Sequence, residues 1–278
     1  MPLADRDVAI AAALAGAAVA RSRYGTSLAR VEKDRGDFAT AADLDAERAI
    51  LDVLRSARPL DAVDGEESGR TGPAAERVWL VDPLCGTLNY AAQTPLVAVN
   101  VALRDGDRVT AAASADPFAR ELFWTEGAHA YVRRDGVDER LRPSAESRLV
   151  DVNLDPPFPN GRAFRAVELL ADEEFAERFR PRVVSTTLAV AWVAAGRRAA
   201  YVADGHLQDS VHFASGIALC RAAGCVVTGL RGQPVHTGVG GLLVAADQPT
   251  HATLLALIDR QFAAARQAGC SPPSRSGG

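Results

Sequence analysis

Lysine is almost missing from this chain: Lys33 is the only one in 278 residues, and arginine carries nearly all the positive charge. Alanine and arginine dominate, a coding bias rather than a functional signal. Basic charge is not in excess either. A formal net charge of −4 leaves no electrostatic footprint for nucleic acid, which is excluded as an expected partner. No apolar run reaches the roughly 18 residues a membrane-spanning helix needs, so no membrane partner is expected. Cysteine is scarce as well. Cys85, Cys220, Cys225 and Cys270 match no zinc ribbon and no disulfide framework, and a reducing, cytoplasmic location is expected. The Ala-rich start is amphipathic and preceded by Asp5, Arg6 and Asp7, so it reads as a first helix rather than a signal peptide.

What is present is a core. Hydrophobic residues make up 48% of the chain and charged residues 24%, enough for one large domain or two closely joined ones. The sequence predicts a helix over residues 4–24, with Leu14, Ala18 and Tyr24 among its inward positions, and a second helix from Asp43 with Asp45 and Glu47 in its first turn. Residues 61–72 read as a loop, and 96–103 and 108–115 as paired strands across Arg104-Asp105-Gly106-Asp107. The Pro-rich stretch 140–162 reads as a boundary, and 163–179 as one helix. The expected organisation is an N-terminal α+β half (1–145), a C-terminal α/β half (146–268) and a Ser/Pro/Gly-rich disordered tail (269–278).

The chain is organised around Trp79-Leu80-Val81-Asp82-Pro83-Leu84-Cys85-Gly86-Thr87-Leu88-Asn89-Tyr90. Val78 to Val81 predicts a buried strand that stops at the turn signal Asp82-Pro83, and Gly86-Thr87 opens a helical turn. An acid at a strand end followed by exposed backbone N–H groups suits a metal and a phosphate. The stretch resembles the signature of the inositol monophosphatase family, W-x-x-D-P-[IL]-D-G-T-x-N-[FY], with Cys85 where the family has a metal-binding aspartate. Four further segments resemble family elements in the same order. Asp37 to Asp43 resembles D-x-x-T-x-x-D, and Gly65-Glu66-Glu67-Ser68 matches G-E-E-S. Ser185 to Gly196 resembles the G-S-A-A-L helix, with Val184 for the glycine and Thr186 and Thr187 for alanines. Asp209 to Gly216 resembles W-D-x-A-A-G, with Val211 for tryptophan and His212 for a second metal-binding aspartate.

The resemblance implies an α/β, α+β layered sandwich of alternating helix and sheet layers, and a homodimer. It also implies that Asp43 and Thr87 activate the attacking water. The first Mg²⁺ would be held by Glu67, Asp82 and the Leu84 carbonyl, the second by Asp82, Cys85 and His212. Gly86, Thr87, Ser185, Thr186 and Asp209 would line the small-molecule site. Taken singly, Asp43 reads as a helix N-cap, the Glu66-Glu67 pair as solvated surface, Cys85 as a small buried plug and His212 as a helix cap.

Thiol and imidazole are poor partners for Mg²⁺. Four readings follow. In the first, no cofactor is required: Cys85 is a nucleophile with thiolate favoured by the helical turn, His212 is its base, and the reaction is group transfer, condensation or hydrolysis on a small polar substrate in a specialised biosynthesis. In the second, the chain remains a Mg²⁺-dependent phosphomonoesterase on a sugar or polyol phosphate. In the third, Glu67, Asp82, Cys85 and His212 hold Zn²⁺ or Fe²⁺. In the fourth, the pocket binds a ligand without catalysis.

Overall fold

In the computed structural model, which describes residues 3–26, 30–34, 37–154, 166–204, 210–235 and 240–269, the chain alternates helical layers with sheets. The helix α1 (Asp5–Arg23) is followed by an antiparallel ribbon, β1 (Arg30–Asp34) and β2 (Asp37–Thr40), and by α2 (Ala41–Ala57). Next come β3 (Ala62–Gly65), β4 (Gly69–Thr71), β5 (Arg77–Cys85) and the short α3 (Thr87–Ala91). A meander follows: β6 (Ala98–Asp105), β7 (Arg108–Asp116), β8 (Glu121–Thr125), β9 (Ala130–Arg134) and β10 (Val137–Arg140). The remaining elements are β11 (Leu149–Val152), α4 (Ala166–Leu169), α5 (Glu173–Arg178), β12 (Arg180–Val183), α6 (Leu188–Ala194), β13 (Ala200–Ala203), α7 (Ala214–Ala223), β14 (Val226–Thr228), β15 (Leu242–Ala245) and α8 (Gln248–Gly269).

Strands β3 to β10 form one eight-stranded sheet in the order β10-β9-β8-β7-β6-β5-β3-β4, antiparallel except where β3 runs parallel to β5. Strands β11 to β15 form a five-stranded sheet in the order β12-β11-β13-β15-β14. Side chains of β5 alternate as a two-residue period demands. Trp79 and Val81 pack under α1 and α2, while Val78 and Leu80 face Ala214 and Ala218 of α7. Helices α6 and α7 share one core with Phe123 of the large sheet and with Tyr201, Leu242 and Val244 of the small one, so they lie between the two sheets. Leu254, Leu257 and Ile258 of α8 cover the other face of the small sheet beside Phe175 of α5. The expected layered sandwich is observed, in the order helix, sheet, helix, sheet, helix.

Several local expectations are corrected. The inward face of α1 is built from Ala9, Ala13, Gly16, Ala17 and Ala20, while Leu14 and Ala18 face outward. Close approach decides this: a Cβ on Gly16 would lie 2.7 Å from Ile50 Cδ1 and 2.9 Å from Val99 Cγ1. The stretch 61–72 is not all loop, because buried Ala62 and Val63 pair with β5 and leave only Glu66-Glu67-Ser68 as the β3–β4 turn. The helix expected over 163–179 is divided, since Asp172 accepts the Phe175 N–H at 3.0 Å and starts α5 anew. The tail expected to be disordered lies, beyond Gly269, outside the described residues. Among the described residues no helix is long and apolar enough to cross a membrane.

Candidate active site

β5 continues past the point where the sequence predicts its end. Asp82 pairs with Asn100, the register then shifts, and Cys85 pairs with Ala98. Pro83 has no N–H to contribute, and a bulge is where a strand tolerates that. The Leu84 N–H turns back to Asp82 Oδ1 at 3.1 Å. Gly86 then takes φ +103°, a left-handed conformation, and any Cβ there would lie 2.8 Å from the Leu96 carbonyl and 3.3 Å from that of Ser185. Asn89, on the following turn of α3, donates to the same two carbonyls, at 2.9 Å to Leu96 and 2.6 Å to Ser185. The signature loop is thereby tied to the segment that leads into α6.

The second element is the start of α2. Thr40 and Asp43 form a reciprocal capping box: the Thr40 N–H donates to Asp43 Oδ2 at 2.8 Å, and the Thr40 hydroxyl accepts from the Ala42 N–H at 3.2 Å. This leaves Asp43 Oδ1 to accept the Thr87 hydroxyl at 3.0 Å, a hydroxyl that also lies 3.3 Å from the Leu84 carbonyl. Asp43 is fully inaccessible to solvent, whereas Thr87 is half-buried. Burial pushes the Asp43 carboxyl above the usual carboxylate range, only partly opposed by the hydrogen bonds from Thr40 and Thr87. Asp43 is therefore both a helix cap and the acceptor of the Thr87 hydroxyl.

The third element is the start of the segment preceding α7. His212 Nδ1 lies 2.8 Å from Asp82 Oδ2 and 3.9 Å from Glu66 Oε2. Burial acts to lower the His212 pKa, but the charge and hydrogen bond of Asp82, then Cys85 and Glu66, outweigh it, and the imidazole is held well above its ordinary value. The reciprocal effect holds for Asp82. Burial raises its carboxyl, and the His212 charge and hydrogen bond, with contacts from Glu66 and Cys85, bring it below the usual range. The pair is an imidazolium–carboxylate ion pair whose carboxylate is buried and whose imidazole stays partly exposed.

Cys85 departs from the expected thiolate. Burial, then the neighbouring Asp82 charge, pushes the thiol up to about 11, and His212 and Thr187 oppose this only in part. The helical turn expected to favour thiolate is five residues long, and burial, with the carboxylate beside the sulfur, outweighs it. At neutral pH Cys85 is a protonated thiol.

Of the other residues marked by the sequence, Leu84 is fully buried, with its carbonyl turned toward Thr87. Thr186 is buried, and its hydroxyl accepts the Leu188 N–H at 3.3 Å. Asp209 lies outside the described residues. The Glu66 carboxylate lies beside Asp82 and 3.9 Å from His212 Nδ1, and the backbone N–H of Glu67, the glutamate marked as a first-ion ligand, donates to Glu47 at 2.9 Å. Adjacent residues in a turn diverge, and two glutamates in a row give the sequence no means of choosing between them. Glu47 was legible only as a helix-start acid, yet its buried carboxylate also accepts the Ser68 N–H at 2.9 Å and so fixes the whole turn. Thr187, Asn100 and Ser114 form a buried chain behind Cys85. Ser114 donates to Asn100 at 2.7 Å, Asn100 donates to Thr187 at 2.8 Å, and the Thr187 hydroxyl contacts the thiol.

Donor chemistry distinguishes the two ligand sets that the resemblance implies. Asp82, Glu66 and the Leu84 carbonyl are hard oxygen donors and suit one Mg²⁺. Asp82, Cys85 and His212 do not suit a second, because sulfur and nitrogen replace two of its oxygens.

The inositol monophosphatase family profile matches residues 4–262. An inositol-1-monophosphatase of Caulobacter vibrioides is 31% identical over 239 residues, covering 83% of this chain and 90% of its own length. Among solved structures, the extragenic suppressor protein suhB of Bartonella henselae superposes with a TM-score of 0.81 at 27% identity, covering 91% of this chain and 98% of that one. An inositol monophosphatase from Anabaena gives 0.77 at 26%, covering 92% and 95%. With its layered sheets, the hydrogen bond from Thr87 to Asp43 and this likeness along nearly its whole length, the chain belongs to the inositol monophosphatase family.

Proposed function

We propose that this protein hydrolyses a phosphate monoester of a small polyol or sugar, with one Mg²⁺ at the oxygen-rich subsite. The observation that carries this reading is the Asp43–Thr87 hydrogen bond: a carboxylate of raised basicity, shielded from solvent, that accepts from a half-buried hydroxyl. Water bound at Thr87 gives up a proton through that hydroxyl to Asp43 as its oxygen bonds to phosphorus. The ester P–O bond breaks, and the departing alkoxide takes a proton from solvent. General-base assistance of this kind is worth about 10²- to 10⁴-fold. A Mg²⁺ held by Asp82, Glu66 and the Leu84 carbonyl would supply positive charge to the phosphoryl oxygens. The substrate class follows the relatives named inositol monophosphatases. The thiol-nucleophile reading is the weaker one, since a thiol raised to about 11 is protonated where it would have to attack.

The test is release of inorganic phosphate from a panel of polyol and sugar phosphates, with Mg²⁺ varied. Turnover that requires Mg²⁺ and falls at least about 100-fold in Glu66→Gln supports the reading. Turnover of none of these esters, or turnover indifferent to Mg²⁺, overturns it.

A further inference from the structure

Among the described residues, one group of three metal-ligating side chains has its donor atoms all within 4.8 Å of one another: Asp82, Cys85 and His212. It offers a carboxylate oxygen, a sulfur and an imidazole nitrogen. A divalent ion of the zinc class prefers such a mixture, whereas Mg²⁺ prefers oxygen throughout. We infer that this subsite is a three-ligand site for Zn²⁺ or a similar borderline transition-metal ion.

Geometry and surroundings both support this. Tetrahedral zinc spaces its ligand atoms roughly 3.3–3.6 Å apart, so three donors inside the observed envelope need shifts of roughly 1 Å or less. The 2.8 Å contact between Asp82 Oδ2 and His212 Nδ1 opens slightly as the ion replaces the shared proton. The ligands are also oriented from behind. Asp82 Oδ1 is held by the Leu84 N–H, and Cys85 by Thr187, itself fixed by Asn100 and Ser114. Outer partners of this kind fix ligand orientation at metal sites. Glu66, 3.9 Å from the imidazole, adds negative charge at the rim. On binding, Zn²⁺ takes the place of the thiol proton and the imidazolium proton, both of which pass to solvent. The bound set is then thiolate, carboxylate and neutral imidazole around the ion.

The inference concerns the same cleft as the hydrolytic reading but is measured by binding alone, so either can fail without the other. Metal-free full-length protein is titrated with Co²⁺ and then with Zn²⁺ in competition. The expected result is a near-ultraviolet thiolate-to-cobalt charge-transfer band with one equivalent bound, displaced by Zn²⁺ and unaffected by a large excess of Mg²⁺. The band disappears in Cys85→Ser and persists in Cys225→Ser. His212→Gln weakens Co²⁺ at least about 100-fold, and Thr187→Val weakens it about 10-fold. If Cys85→Ser does not fold, as judged by circular dichroism, His212→Gln and Thr187→Val carry the test. No band, a band retained in the folded Cys85→Ser protein, a band displaced by Mg²⁺, or Co²⁺ affinity unchanged in His212→Gln overturns the proposal.

Discussion

Asp43→Asn separates the two roles that Asp43 performs. The substitution is isosteric, so the capping box can persist: one side-chain oxygen still accepts the Thr40 N–H observed at 2.8 Å. The amide nitrogen then occupies the Oδ1 position, 3.0 Å from the Thr87 hydroxyl, and donates where a carboxylate accepted. The relay is reversed in polarity and cannot take a proton. Phosphate release should fall about 10³-fold, which is about 4 kcal/mol of transition-state stabilisation. Stability should move the other way. Burial raises the Asp43 carboxyl above its ordinary 3.8 in the folded state, so folding favours the protonated form. That contribution is fully present below pH 3.8 and is lost as the pH rises through the raised folded-state value. At neutral pH the wild-type protein bears the cost of a buried carboxylate, and the amide does not. Urea denaturation from pH 4 to pH 8 should therefore show the variant gaining relative stability toward higher pH. The reasoning fails if the variant keeps wild-type turnover, or if it loses turnover only because it loses more than about 2 kcal/mol of stability, the upper cost of a lost cap.

Other perturbations test the supports of the site. Glu47→Gln removes one of two acceptors for the Glu67 and Ser68 N–H groups, which both lie at 2.9 Å, and should cost about 1–3 kcal/mol in urea denaturation while lowering turnover through Glu66; unchanged stability would refute the role of Glu47. Gly86→Ala places a Cβ 2.8 Å from the immobile Leu96 carbonyl at φ +103° and should destabilise by at least about 2 kcal/mol, read from the thermal midpoint. In metal-free protein, alkylation of Cys85 followed by mass spectrometry should be slow at pH 7 and rise toward a midpoint of about 11; a midpoint below the ordinary thiol value of 9.0 would reinstate the thiolate. His212→Ala removes the cation that faces the fully buried Asp82 and should cost about 3 kcal/mol, the low end for breaking a buried pair because 33% of the His212 side chain stays exposed; a cost near zero would show that Asp82 is neutralised by another group.

The sequence carried the fold through its periods and its ordered motifs. The continuous apolar run from Val78 to Val81 predicts a buried strand, and the signature after it points to the family. The small-residue face of α1 was harder to read, because alanine contributes little to a periodic pattern and Gly16 matters only through its contact with Ile50 and Val99. In the site, Asp43, Thr87, Asp82, Cys85 and His212 were all marked in the sequence, because each sits in a quoted motif. The sequence does not distinguish the two adjacent glutamates. Glu66 and Glu67 are chemically identical, and only the β3–β4 turn, pinned by Glu47, decides which one meets Asp82. Asn100 and Ser114 gave no signal, since a buried polar pair on β6 and β7 looks like ordinary strand sequence until Thr187 arrives from another layer.

The two replaced positions make physical sense only as a pair, because both act on Asp82. An aspartate at position 212 would set a second carboxylate against Asp82 and require a cation between them before the interior could tolerate the charge. His212 removes that requirement by being the cation, so the fold can close around Asp82 without any ion. An aspartate at position 85 beside that pair would add back an anion with no partner; a protonated thiol adds none and still offers sulfur to a metal. The subsite is thus self-neutralised when free of metal and rich in soft donors when an ion arrives. The oxygen donors proposed for Mg²⁺, Asp82, Glu66 and the Leu84 carbonyl, are unchanged by either replacement, and Thr87 still donates to Asp43. On the proposed reading, the substitutions would alter which ion the subsite prefers while leaving the Asp43–Thr87 hydrogen bond untouched.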